Sequence, residues 1–268
     1  FVGFDKSGST WLHKNLMSHP QVYVPKEKDL YFFDRYYSRG LKWYHSFFKK
    51  GFNDSKIKSI GELSHDYIYS EKAAKRIKEY NPNIKIIITF RDPIDRYLSL
   101  LNFSIMKGSI TKFEASNINR HPEIISRAIV SNYIKKYLEI FEEKNILLLD
   151  YVDLKNNPKF FLQSFYKFIC VDNFFDSNLI NKKINKTKSH RFFLLNWFIF
   201  RLGKLARFFG FNSLIAQVRG NKFINTLLYK KNKNNIVNLD TVDEKFLIKL
   251  TEDYNKIKEM KNSKNEEY

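Results

Sequence analysis

Cysteine is almost missing from this 268-residue chain. Cys170 stands alone, which excludes an internal disulfide and a cysteine-rich zinc site. Acidic residues are also short, with 28 Asp plus Glu against 47 Lys plus Arg and a formal charge of +19. That balance favours anionic partners such as nucleic acid, acidic lipid, phosphate-bearing cofactors or acidic glycans. The abundance of Lys, Asn, Ile and Phe offers a compositional origin for part of it, so charge alone names no partner. No run approaches the roughly 18 apolar residues of a membrane span, since Phe192–Phe200 is short and broken by Asn196. Internal repeats and low-complexity linkers are missing too. The chain opens on Phe1 rather than Met, and Phe1-Val2-Gly3-Phe4 runs into a polar loop with no basic leader before it. The expected location is cytoplasmic, with peripheral membrane contact through residues 191–233. The alternative is a Golgi-type lumen if an N-terminal anchor has been removed.

What is present is enough to fold. Hydrophobic residues make up 43%, and aromatics, led by 26 Phe and 16 Tyr, make up 17%. A core of that size excludes wholesale disorder. Strands and helices alternate along the chain. Phe1–Phe4 reads as the end of a buried strand, and Trp11–Ser18 as a helix stopped at His19-Pro20. A charged helix is expected over Ser70–Tyr80, a buried strand over Ile84–Phe90 and a helix over Asp95–Met106. A third strand, Ile146–Tyr151, precedes a helix over Pro158–Phe168. This order indicates an α/β fold with a mostly parallel sheet flanked by helices. Residues 191–233, aromatic and basic, read as one or two amphipathic helices, and Thr241–Met260 as a charged helix. One domain over 1–268 is expected, with an α/β core to residue 190 and a helical C-terminal extension beyond it.

Two short stretches carry chemistry. The first, Phe4-Asp5-Lys6-Ser7-Gly8-Ser9-Thr10-Trp11-Leu12, lies between a strand and a helix, where backbone N–H groups and a helix N-terminus meet an anion. Gly8 permits close backbone approach, Ser9 and Thr10 add hydroxyls, and Lys6 adds a point charge. The order differs from the Walker pattern, in which Lys follows the second Gly. The second, Thr89-Phe90-Arg91-Asp92-Pro93 through Arg96 to Ser99, puts Arg91 at the carboxyl end of a strand and Ser99 two turns into the next helix. Each stretch has a plainer alternative: a tight strand-to-helix turn with an N-capping Ser for the first, and an Arg-Asp pair capping a helix for the second.

Together and in this order, the two stretches resemble the PAPS-dependent sulfotransferases, on their carbohydrate-modifying and bacterial side. The Lys28-Asp-Leu-Tyr-Phe-Phe-Asp34 segment is similar to that branch's K-E-x-x-F-F. Leu148–Pro158 and Phe168-Ile-Cys-Val171 are similar to two later family segments. The resemblance spans roughly residues 1–190. It implies a P-loop-containing three-layer fold and transfer of a sulfuryl group from PAPS to a hydroxyl or amine, leaving PAP, with no metal.

By position, the resemblance assigns Lys6 to the sulfate and leaving-group oxygen. Ser7, Gly8, Ser9 and Thr10 fall to the 5′-phosphate, and Arg91 and Ser99 to the 3′-phosphate. Trp11 is either an adenine stack or a core aromatic. The general base is Asp29, with Glu27 and His65 as alternatives, because Asp is one methylene shorter than the Glu of that branch. Glu62 and His65 are candidate acceptor contacts. Lys188 and Arg191, in Asn185–Arg191, stand where the family closes a loop over the nucleotide, although the loop's Gly is lacking; solvated surface is the other reading. The expected acceptor is a carbohydrate or glycolipid. Two other classes compete: a P-loop nucleotide kinase, and a basic protein binding nucleic acid or heparin without catalysis. No nucleic-acid module is visible, and no nucleic-acid partner is expected.

Overall fold

The computed structural model describes residues 1–107, 109–111, 114–115, 122–181, 188–190, 202, 229–231, 237 and 242–265. The chain divides into two compact units. The first comprises residues 1–92, 130–184 and 252–268, and the second residues 93–129 and 185–251.

The first unit is built around two parallel strands, β3 (Ile86–Phe90) and β4 (Ile146–Asp150), in register from Ile86 opposite Ile146 to Phe90 opposite Asp150. Every residue of β3 is buried, as an unbroken apolar run in a covered parallel sheet should be. The amino-terminal residues also run parallel to β3. Val2 N donates to Ile87 O at 3.1 Å, Thr89 N to Gly3 O at 2.8 Å and Phe4 N to Thr89 O at 2.9 Å. The expected strand at the start of the chain is therefore present as a ladder of hydrogen bonds along β3. Helix α1 (Ser9–Ser18) follows the first loop, beginning two residues before the apolar pattern does. A small parallel pair, β1 (Val22–Tyr23) with β2 (Ser59–Ile60), encloses the short helices α2 (Gly40–Ser46) and α3 (Lys49–Phe52) in sequence.

Capping chemistry fixes several boundaries. Ser70 Oγ accepts from Ala73 N at 3.1 Å and starts α4 (Glu71–Tyr80). Asn157 caps α9 (Pro158–Ile169), whose first residue is the proline expected at that position. Between them in sequence lie α5 (Pro93–Lys107), α6 (Pro122–Ala128), α7 (Ser131–Ile140) and α8 (Tyr151–Asn156). The last helix is α10 (Glu244–Asn265). From it Asp253, buried, accepts from Val130 N at 2.8 Å and Ser131 N at 3.1 Å, capping α7 from a distant part of the chain.

Two apolar clusters fill the first unit. One gathers Phe4, Phe32, Phe33, Tyr67, Ile88 and Phe90, and the other Trp11, Leu12, Phe161, Leu162 and Tyr166. The second unit has its own cluster around Tyr97, Leu101, Ile124 and Leu250. It also holds an antiparallel pair, β5 (Lys188–His190) with β6 (Tyr229–Lys231). Tyr229–Lys231 is thus extended where a helical stretch was expected, because ladder pairing with a distant segment overrides local periodicity. Most of residues 191–233, including the expected amphipathic helices, lies outside the described residues. No helix among the described residues is long and apolar enough to cross a membrane.

Candidate active site

The first loop turns sharply. Lys6 (φ 61°) and Gly8 (φ 87°) are both left-handed, and the chain enters α1 with Gly8 at the N-cap position. Gly8 brings no side chain to cap α1; its carbonyl accepts from Trp11 N at 2.9 Å and Leu12 N at 3.0 Å, and the N–H groups of Ser9 and Thr10 precede the first of these bonds. A Cβ at position 8 would lie 2.5 Å from Leu154 Cδ2 and 3.3 Å from the Tyr151 ring. The left-handed backbone at position 8 favours glycine, and a side chain there would also have to displace the Leu154 methyl. Thr89 on β3 braces the loop from below, donating through Oγ1 to Ser7 O at 3.0 Å. Ser7 is fully buried and Ser9 nearly so, whereas Thr10 is half-exposed.

Two cations converge on this turn. Arg91 Nη1 donates to Lys6 O at 3.3 Å, and its guanidinium lies 4.9 Å from the Tyr151 ring centroid. Burial pushes the Lys6 ammonium below its ordinary range; Asp5 opposes this, and Arg91 adds to the fall. The Asp5 carboxylate also accepts from Tyr69 OH at 2.8 Å. An anion arriving between Lys6 and Arg91 would relieve that cation–cation repulsion. Ser99 stands half-buried on α5, in the second unit. Arg96, from the same stretch as Arg91, is a structural clamp: it is wholly buried and donates to Ala128 O at 3.2 Å.

Trp11 is 8% exposed and packs edge-to-face on Phe161 at 6.1 Å. Both carboxyl oxygens of Glu62 are buried. Burial pushes its carboxyl up. The hydroxyls of Tyr67, Tyr44 and Ser64 oppose that shift without closing to good hydrogen-bond geometry.

The rival candidates for the base turn out to be partners. Asp29, at φ 65°, is fixed by its N–H to Leu63 O at 2.9 Å. Its Oδ1 accepts from Lys28 Nζ at 2.8 Å and lies 2.7 Å from His65 Nδ1. Burial alone would raise the Asp29 carboxyl, but the charges of His65 and Lys28 and their hydrogen bonds hold it well below the carboxylate range. The other ring nitrogen, His65 Nε2, faces Tyr31 OH at 3.5 Å and Asp66 Oδ1 at 3.7 Å. Asp66 is clamped by Arg35, which also contacts Asp34 at 3.4 Å. Burial, with Asp66 adding to it, pushes Asp34 up to about 6 against the pull of Arg35. Glu27 joins none of this and makes no hydrogen bond or ion pair among the described residues.

His65 is also tied to the first strand. Ser64 N donates to Phe1 O at 3.0 Å and Ile68 N to Val2 O at 2.9 Å, so residues 64–69 run beside residues 1–5. The sequence reading missed Lys28, Asp34, Arg35 and Asp66. The signal available was their adjacency to Asp29 and His65; what brings them together is the pairing of two loops that are 30 residues apart. Lys188 lies in β5, and Arg191 lies outside the described residues. No cluster of three or more metal-ligating side chains occurs among the described residues.

An α/β core in which a glycine-turned loop links a parallel strand to a helix N-terminus, with Lys6 and Arg91 beside it, defines a protein built to hold an anionic group. The particular kind follows from comparison. Residues 1–197 match the sulfotransferase domain family, and the chain belongs to it. It is 36% identical over 104 residues to the membrane-associated sulfotransferase kil1 of Dictyostelium discoideum, covering 39% of this chain and 22% of that protein. It is 28% identical over 190 residues to the human bifunctional heparan sulfate N-deacetylase/N-sulfotransferase 3, covering 63% of this chain and 22% of that protein. The chain thus spans about a fifth of the length of these curated relatives. In structure it resembles a sulfotransferase from Alicyclobacillus acidocaldarius, with a TM-score of 0.59 at 21% identity, over 69% of this chain and 85% of that one. This likeness supports the α/β fold.

Proposed function

We propose that this chain transfers a sulfuryl group from PAPS to a hydroxyl or amine of a carbohydrate acceptor. The observation that carries the reading is the convergence of Lys6 and Arg91 on a loop turned at the left-handed Gly8, in a chain of the sulfotransferase family. The heparan sulfate relative supports a glycan acceptor. In the reaction, the bond between sulfur and the 5′-phosphate oxygen breaks as a bond from sulfur to the acceptor atom forms. Lys6 stabilises charge growing on the leaving oxygen, as a preorganised cation does in a site shielded from water. The helix N-terminus and the Ser9 and Thr10 groups hold the 5′-phosphate, and Arg91 and Ser99 the 3′-phosphate. The acceptor's proton passes to the Asp29–His65 pair, through Nε2 when the ring is neutral, while Asp29 at Nδ1 fixes the ring's orientation and stabilises the imidazolium that forms.

Replacing Lys6 by Ala tests this. Transfer of labelled sulfate from PAPS to a heparan-type acceptor should fall at least a hundredfold while the melting temperature holds. Near-normal turnover refutes the role of Lys6. A nucleotide kinase is the second reading, and it is disfavoured by the order of the loop, in which Lys6 precedes Gly8. Calorimetric preference for ATP over adenosine 3′,5′-bisphosphate would favour it.

A further inference from the structure

We infer that Lys28 is a positioning residue for the proton transfer: its ammonium balances the Asp29 carboxylate, so that His65 enters the reaction as a neutral ring. The claim rests on the sulfotransfer reading above. Three atoms form a tight triangle. Asp29 Oδ1 lies 2.8 Å from Lys28 Nζ and 2.7 Å from His65 Nδ1, and Nζ and Nδ1 are 3.3 Å apart. None of the three side chains is more than 21% exposed. A carboxylate taken this far out of water needs a cation beside it, and either an ammonium or an imidazolium can serve. The Lys28 ammonium already touches that oxygen, so the ring is not required to carry charge at rest.

The distances also choose the tautomer. An ammonium only donates, and a ring nitrogen either donates or accepts. Were Nδ1 bare, its lone pair would face a carboxylate oxygen at 2.7 Å, which is repulsive, whereas an N–H in that gap makes a strong bond. The 3.3 Å separation from Lys28 is long for a charge-assisted bond, so Asp29 rather than Lys28 is the partner of Nδ1. The neutral ring therefore carries its proton on Nδ1 and keeps a lone pair on Nε2, where a proton acceptor needs it. The other groups that face the ring have partners of their own. Asp66 Oδ1, 3.7 Å from Nε2, belongs to a carboxylate clamped by Arg35, which also meets Asp34. Tyr31 OH stands 3.5 Å from Nε2. His13, close enough to feel the charges of Lys28 and Asp29, is buried and donates through Nε2 to Pro25 O at 2.8 Å. With Lys28 removed, Asp29 has only His65 to balance it among the described residues, and the ring holds its proton to higher pH.

NMR titration of histidine-labelled protein reads the ring directly. His65 is identified among the six histidines as the signal lost in His65→Gln. In wild type the neutral ring should show its proton on Nδ1. Lys28→Met should raise the midpoint of the His65 titration by roughly one pH unit. Lys28→Arg, which keeps the charge, and Lys144→Met, which removes an exposed lysine paired with Glu142, should each leave it within about 0.3 unit. The acid limb of kcat for sulfate transfer from PAPS should move up with the midpoint in Lys28→Met, and turnover should recover at high pH, which a merely loosened site would not do. A neutral ring protonated on Nε2, an unmoved or lowered midpoint in Lys28→Met, or an equal rise in Lys144→Met overturns the proposal. So does an acid limb that stays put while the midpoint moves. If Lys28→Met does not fold, the wild-type tautomer and the Lys28→Arg titration still decide. A midpoint that moves as expected in a chain that transfers no sulfate from PAPS supports the charge balance and overturns the sulfotransfer reading instead, so the two failures are distinct.

Discussion

Asp34 gives a quantitative handle on the charge network around His65. Its carboxyl ionises at about 6 rather than at the ordinary 3.8, chiefly through burial, with Asp66 adding repulsion that Arg35 only partly offsets. A carboxyl whose folded-state pKa is raised binds more protons in the folded chain than in the unfolded one over that interval. Folding stability therefore declines as pH rises from near 4 through about 6. At about 1.36 kcal/mol per pH unit, the cost at pH 7 is about 3 kcal/mol. Asp34→Asn removes this charge while its amide oxygen can keep the hydrogen bond from Arg35 N, which is 2.8 Å long. The variant should be more stable than wild type at pH 7, by up to about 3 kcal/mol less what the lost Arg35 contact contributes. The difference should shrink to a small fraction or reverse near pH 4, where Asp34 is protonated in the folded chain and roughly half protonated in the unfolded one. Urea unfolding of both proteins at half-unit steps from pH 4 to 8 measures it. A stability difference that is flat across this range, or that grows as pH falls, refutes the account of Asp34.

Other expectations follow from the same geometry. Gly8→Ala should cost roughly 1–3 kcal/mol, mostly through the left-handed backbone, since the Leu154 methyl group can swing aside; nucleotide affinity should fall as well, and an alanine variant with wild-type binding would show that the loop is not the cradle. Asp253→Ala leaves the N–H groups of Val130 and Ser131 without their buried acceptor and should destabilise by roughly 2–4 kcal/mol in denaturant titration, with little change if water replaces the carboxylate. Glu27→Gln should leave kcat within about threefold, whereas Asp29→Asn should lower it at least tenfold and alter its pH profile; the reverse ranking would move the base to Glu27.

Much of the frame was legible because its signals are local. The continuous apolar run ending at Phe90 marks a covered strand, and Ser70 and the Asn157-Pro158 pair mark helix starts within a residue or two. The turn between strand and helix was legible for the same reason: Lys6 through Thr10 are consecutive. The rest depends on contacts that no short window contains. Asp29 and His65 read as competitors because nothing in the sequence indicates that their loops meet, and the 2.7 Å contact makes them one unit. Trp11 and Glu62 stand out by their motif positions, and that both are buried depends on packing that no short window contains.

The brace from Thr89 to the Ser7 carbonyl links the two anion-holding stretches mechanically. One strand supports the first and, two residues later, releases Arg91 into the second, so their spacing is set when the sheet zips together. On the proposed reading, a doubly phosphorylated donor would meet two contacts whose separation the sheet has already set.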